Sequence, residues 1–153
     1  MTMTTRDNFA TTAAGLAEGT NANTFQIANI THFVIDGRAF RKAVTDNIAF
    51  AVATGTAHVA LAAHQVCVFW ILINAAGTVT AFQSEIKTAS TGVGYEPGAF
   101  AIPDRDSVAV IGGILVQTAA ATTFTAGSTD LGAAGVTDTY VDLVMDYGRP
   151  ITY

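Results

Sequence analysis

The chain has 153 residues. Half are hydrophobic and 12% are charged, with 12 Asp and Glu against 7 Lys and Arg for a net charge of −5. That length and apolar share allow one domain with a sizeable core that needs no disulfide or metal, and the acidic balance disfavours direct nucleic-acid binding, which calls for a basic surface. The longest wholly apolar run, residues 66–73, falls far short of the roughly 20 residues a membrane helix needs, so so little charge points to surface buried in the fold or against another subunit.

In chain order, residues 1–7 lack the apolar core of a secretory leader, and none is expected. Residues 1–23 are rich in Thr, Ala and Asn and show no strand pattern. Phe9, Ala13, Leu16 and Ala17 fall at helical spacing, with Asp7 placed to cap and Gly19 to end such a segment. A helix that short is marginal in water. The expectation is an N-terminal arm over residues 1–24, extended or briefly helical and ordered by a neighbour, or else a disordered terminus. A β domain over residues 25–153 follows.

Phe25-Gln26-Ile27 opens the first strand and residues 31–35 form a clearer one. Asp36-Gly37 then separates it from residues 38–44, a strong hairpin signal because both residues tolerate positive φ. Asp46-Asn47 reads as another turn. Residues 48–52 read as a third short strand with Ile48, Phe50 and Val52 inward. Thr54-Gly55-Thr56 breaks the chain, and residues 57–63 are a strand or a loop.

Residues 66–83 (VCVFWILINAAGTVTAFQ) are the strongest signal. An apolar run rich in β-branched and aromatic side chains fits a buried strand. Asn74-Ala75-Ala76-Gly77 turns it, with Gly77 suited to a left-handed position, and residues 78–83 return, with Ile86 extending the second arm. A strand apolar on both faces must lie between two layers, or between one layer and a neighbouring subunit.

Residues 88–105 are irregular, interrupted by Gly92, Gly94, Pro97, Gly98 and Pro103, with Tyr95 and Phe100 pinned to the body. Residues 107–117 form the second apolar run, in which Gly112-Gly113 marks a bulge or a close backbone approach. A turn over 118–123, a short return from Phe124 and a loop over 128–135 lead to residues 137–145. There Val136, Tyr140 and Val144 are inward candidates and Asp138 and Asp142 point outward. The tail, residues 146–153, is short and suited to docking on a partner. Turn signals at roughly 8–12-residue spacing, with no strong amphipathic helix between strands, predict an all-β fold: an antiparallel β-sandwich or jelly-roll-like domain with runs 66–73 and 108–116 as core strands.

Candidate chemistry is sparse. His32, His58 and His64 are the only histidines, and His58 and His64 do not share a compact ligand spacing. Asp104-Arg105-Asp106 brings two carboxylates together, as acid–base or calcium sites do, but the Arg between them fits a solvated salt-bridge loop. Gly92-Val93-Gly94 lacks the third glycine of a dinucleotide site. Cys67 lies in an apolar strand, where a thiolate is costly, and has no disulfide partner. Tyr95, Tyr140, Tyr147 and Tyr153 could line a sugar-binding surface, though burial in core or interface is the plainer reading. No catalytic residue, cofactor site or metal ligand is assigned, and no enzyme is expected.

The motifs nevertheless follow an ordered series: FVIDGRAFRKAVTDNIAFAV (33–52), CVFWILINAAGTVTAFQS (67–84), AFAIPDRDSVAVIGGILVQT (99–118), FTAGSTDLGAAG (124–135) and TYVDLV (139–144). The series resembles a family of small virion structural proteins of tailed bacteriophages over about residues 25–144. The resemblance implies a non-enzymatic virion component made in the host cytoplasm. Its leading form is a capsid decoration (cement) protein, a homotrimer on the outer head lattice bound to the major capsid protein, with the arm as a clasp. A head-fibre or tail-fibre component, or a glycan-binding module on the virion surface, are the alternatives. The resemblance brings no cofactor, no membrane and no direct nucleic-acid contact.

Overall fold

The computed structural model describes residues 8–53, 57–90 and 94–145. Its strands are β1 (Phe9–Ala10), β2 (Leu16–Glu18), β3 (Phe25–Ile27), β4 (Thr31–Ile35), β5 (Arg38–Lys42), β6 (Thr45–Ile48), β7 (Gln65–Asn74), β8 (Val79–Gln83), β9 (Lys87–Thr88), β10 (Val108–Thr118) and β11 (Val136–Asp142). The fold is all-β and sandwich-like, as the turn spacing predicts. The larger sheet has the order β5-β4-β1-β10-β7-β8, with β11 also on β10 and β9 also on β7. The smaller sheet is β2-β3-β6.

The two apolar runs are adjacent, antiparallel strands, β7 and β10. Side chains alternate between faces of a strand, and both faces of β7 are covered by the chain itself. Cys67, Phe69, Ile71 and Ile73 enter the main core with Phe25 and Ile27 of the smaller sheet and with Phe50, Leu61, Phe124 and Leu131. A row of rings crosses that core: Phe25 to Phe50 at 5.1 Å, Phe50 to Phe69 at 5.3 Å and Phe69 to Phe124 at 6.1 Å between centroids. On the opposite face Val66, Val68 and Trp70 join Leu115, Ala89 and Phe100, with Tyr95 packed against them. The irregular stretch after β8 is thus the second cover.

Gly112-Gly113 is a close backbone approach, and the bulge falls just before it, at Ile111. The β7–β10 register shifts between Val110 and Gly112. The shift changes the phase of alternation, so Ala109 and Ile111 before it and Ile114 and Val116 after it reach the same core. A Cβ on Gly113 would lie 2.8 Å from the Trp70 ring, and one on Gly112 would strike the Val141 carbonyl oxygen. The predicted hairpins also form. Asp36 (φ 50°) and Gly37 (φ 75°) join β4 to β5 with Ile35 opposite Arg38. The β7–β8 turn closes through Gly77 N donating to Asn74 O at 2.9 Å, with Gly77 at φ 79°.

Several expectations need correction. Residues 8–24 are extended but do not form an arm apart from the body. β1 lies between β4 and β10 in the larger sheet, and β2 pairs with β3 in the smaller one. The burial of Phe9, Ala10, Ala14 and Leu16 outweighs the helical spacing; residues 1–7 lie outside the described residues. Asp46-Asn47 does not end a strand but sits inside β6. Asn47 tolerates φ 54°, and the pair accepts hydrogen bonds from the turn at residues 20–21, Thr20 N to Asp46 Oδ1 at 3.0 Å and Asn21 N to Asn47 Oδ1 at 2.7 Å. Residues 49–52 lie outside the named strands: Phe50 is buried in the main core, edge-on to Phe25, and Val52 is 40% exposed with a parallel bridge to Ala81. Ile86 falls in a break after β8; beyond it the second arm continues along β7 as β9, one residue out of register.

Candidate interaction surfaces

The residues weighed for chemistry are dispersed. His32 lies exposed on β4 opposite Arg41. The His58 ring bonds the Ala81 carbonyl oxygen at 3.0 Å and stands edge-on to Phe69. His64 occupies a turn at φ 56°, where its carbonyl accepts from Ala89 N. Among the described residues no three His, Cys, Asp or Glu side chains gather as metal ligands. Cys67 is buried, and desolvation pushes its thiol up to about 12 despite a weak Gln83 contact, so it stays protonated at neutral pH. Gly92-Val93-Gly94 falls largely outside the described residues, as do Tyr147 and Tyr153 and the docking tail.

Tyr95 and Tyr140 are both engaged in packing. The Tyr95 hydroxyl donates to the Thr88 carbonyl at 2.8 Å and its ring packs 6.3 Å from Phe100. Tyr140 packs against the main core with its hydroxyl buried and without a hydrogen bond of ordinary geometry. Burial raises its pKa well above the ordinary value, and the nearby carboxylates of Asp138 and Glu18 push the same way. Asp142 does not simply point outward. Its carboxylate accepts from Gly15 N at 3.0 Å and Leu16 N at 3.1 Å, tying the start of β2 to the end of β11.

The 104–106 loop borders a cleft of about 340 Å³. Arg105 lies over the Phe82 ring at 4.7 Å, so cation–π packing positions it. The cleft runs between Phe9 of β1, the 102–106 loop and residues 143–145 after β11. Ile102, Val144 and Met145 line it while 50%, 45% and 56% exposed, which makes it an uncovered apolar patch. Sequence reading placed Val144 inward and gave no signal for Ile102 or Met145. Their convergence depends on the end of β11 lying beside β1 and the loop before β10.

A second cleft of about 310 Å³ holds His58, Gln83 and Ser84. Its polar groups are already spent on the fold. Gln83 Oε1 accepts from Val59 N at 2.7 Å, Gln83 Nε2 donates to Val59 O at 2.8 Å, and Ser84 Oγ accepts from Val68 N and donates to Glu85 O. The first cleft is therefore the better recognition surface.

Charge is divided between two edges of the larger sheet. Arg38, Arg41 and Lys42 lie on β5, and Asp138 and Asp142 lie on β11. Together these features define an all-β sandwich that presents an apolar cleft and two oppositely charged sheet edges. Comparison with protein-family models, curated proteins and solved structures finds no match.

Proposed function

We propose that this chain is a structural protein of a tailed-bacteriophage virion, and that it acts as a capsid decoration protein bound to the major capsid protein on the outer head lattice. The observation that carries this reading is the apolar cleft walled by Ile102, Val144 and Met145. An uncovered apolar patch next to charged residues is a common mark of a protein-binding surface. Two further points support it. The ordered motif series that resembles phage virion proteins falls on the hairpins and core strands that build this sandwich. The chain is acidic, which suits an outer surface that should not compete for packaged DNA. In this role the protein assembles as a homo-oligomer, a trimer on the resemblance, after synthesis in the host cytoplasm.

The test is binding of the purified protein to expanded heads, followed by electron microscopy of the decorated particle. Saturable density on the outer lattice, lost on Ile102→Asp or Met145→Asp with the fold retained, is expected. Failure of the wild-type chain to bind heads at any concentration would overturn the assignment.

A further inference from the structure

We propose that copies of this chain associate head to tail, the basic edge strand β5 of one copy lying along the acidic edge strand β11 of the next. This deepens the oligomeric part of the virion reading and rests on it for its biological use. The larger sheet does not leave every edge open. β8 is covered by its own chain, with Ala53 N donating to Ala81 O at 3.0 Å and Ala81 N to Ala51 O at 2.7 Å. Among the described strands β5 pairs only with β4, and β11 only with β10. Among the described residues neither strand has a ladder partner on its other side, and only the Asp142 end of β11 meets another element, the start of β2; such an edge is the ordinary substrate for strand addition.

The charges decide which pairing forms. β5 carries Arg38, Arg41 and Lys42, three of the chain's seven Lys and Arg, and no carboxylate. β11 carries Asp138 and Asp142 and no cation. Lys42 is committed, its Nζ donating to Gly77 O at 2.9 Å, and Asp142 holds the start of β2. Arg38 and Arg41 take part in no ion pair among the described residues and lie on opposite faces of β5, so either alignment of the two sheets leaves one arginine to face Asp138, with Glu18 close by. Like charges opposed across a strand pair destabilise it and unlike charges stabilise it. Pairing of β5 with β5 or β11 with β11 is thus disfavoured, and the unlike pairing is selected. Such an interface is heterologous, so it closes into a ring or grows as a filament. Charged edges usually serve to prevent pairing; opposite signs on two edges of one molecule prevent the like contact and permit the unlike one.

The experiment is sedimentation velocity with light scattering on the full chain across concentration, at low and high salt. The expected result is a concentration-dependent oligomer that weakens with salt. The Arg38→Glu, Arg41→Glu pair and Asp138→Lys should each weaken association by roughly tenfold or more, and the chain carrying all three changes should regain it. Amide exchange on the wild type gives a second readout that needs no variant: β5 and β11 amides should become more protected as concentration rises. A wild type that stays monomeric, an oligomer indifferent to both reversals, or edge amides unchanged by concentration would each overturn the proposal. None of these measurements uses capsids. A chain that assembles but ignores heads therefore refutes the virion reading alone, and one that decorates heads as a monomer refutes the edge pairing alone.

Discussion

Trp70 is 1% exposed and fills the space between the larger sheet and the stretch holding Ala89 and Phe100. Trp70→Ala is expected to cost about 3–5 kcal/mol, read from chemical denaturation, because a large cavity opens in a well-packed layer. Tyr140, like Trp70 Nε1, has a buried polar atom without a hydrogen bond of ordinary geometry, with only the Asp138 side chain beside its hydroxyl, but here that atom can be removed while the ring stays. Tyr140→Phe should be neutral or stabilising by up to about 1 kcal/mol, because it removes an unsatisfied group and keeps the ring. Cys67 gives a pH signature. Its folded pKa lies above its unfolded value of 9.0, at about 12, so the thiol favours folding fully below pH 9. That contribution is lost as pH rises from 9 to about 12, at about 1.4 kcal/mol per unit. The stability difference between wild type and Cys67→Ala should narrow over that window. A constant difference would show that burial does not control the thiol.

At the level of elements, the β10 bulge and β1 are the sensitive points. Gly113→Ala would drive a Cβ to 2.8 Å from the Trp70 ring and 2.9 Å from Val68 Cγ1, so a loss of about 1–3 kcal/mol is expected, with the thermal midpoint as the check. β1 is only two residues long, yet it is flanked by both β4 and β10. Deleting residues 1–10 removes that strand and the buried Phe9 and Ala10, and should leave a poorly soluble chain with reduced cooperativity of unfolding. A deletion variant as stable as wild type would mean that β1 is dispensable. The close approach at Gly112-Gly113 and the Asp36-Gly37 hairpin were legible in the sequence because a glycine inside an apolar strand or after Asp marks a local backbone demand. The position of β1 was not, because two residues carry no periodicity and their partners lie 23 or more residues away along the chain.

For the whole molecule, the two-faced burial of β7 is satisfied inside one chain. Among the exposed apolar residues, Ile102, Val144 and Met145 are the ones that gather in one cleft. Ile102→Asp should therefore leave the thermal midpoint within a few degrees of wild type, since exposed substitutions usually change stability by less than about 0.5 kcal/mol, while abolishing head binding. A large loss of stability would instead mark the residue as part of the fold. The sheet edges make a separate claim, tested by assembly in solution.

The sequence by itself determined the all-β class, the β7–β8 and β4–β5 hairpins and the two apolar core strands. Each of these is dictated by alternation, β-branched content or a residue that tolerates positive φ. Only the tertiary structure decided the rest. Residues 9–18 look arm-like alone because their burial depends on strands far along the chain. Asp46-Asn47 looks like a turn until the residue 20–21 backbone that it binds comes into view. Asp142 looks solvent-facing until the amides of Gly15 and Leu16 reach it. The cleft and the opposed charges of β5 and β11 belong to the same class: each gathers residues separated by dozens of positions, which local pattern cannot encode and packing can.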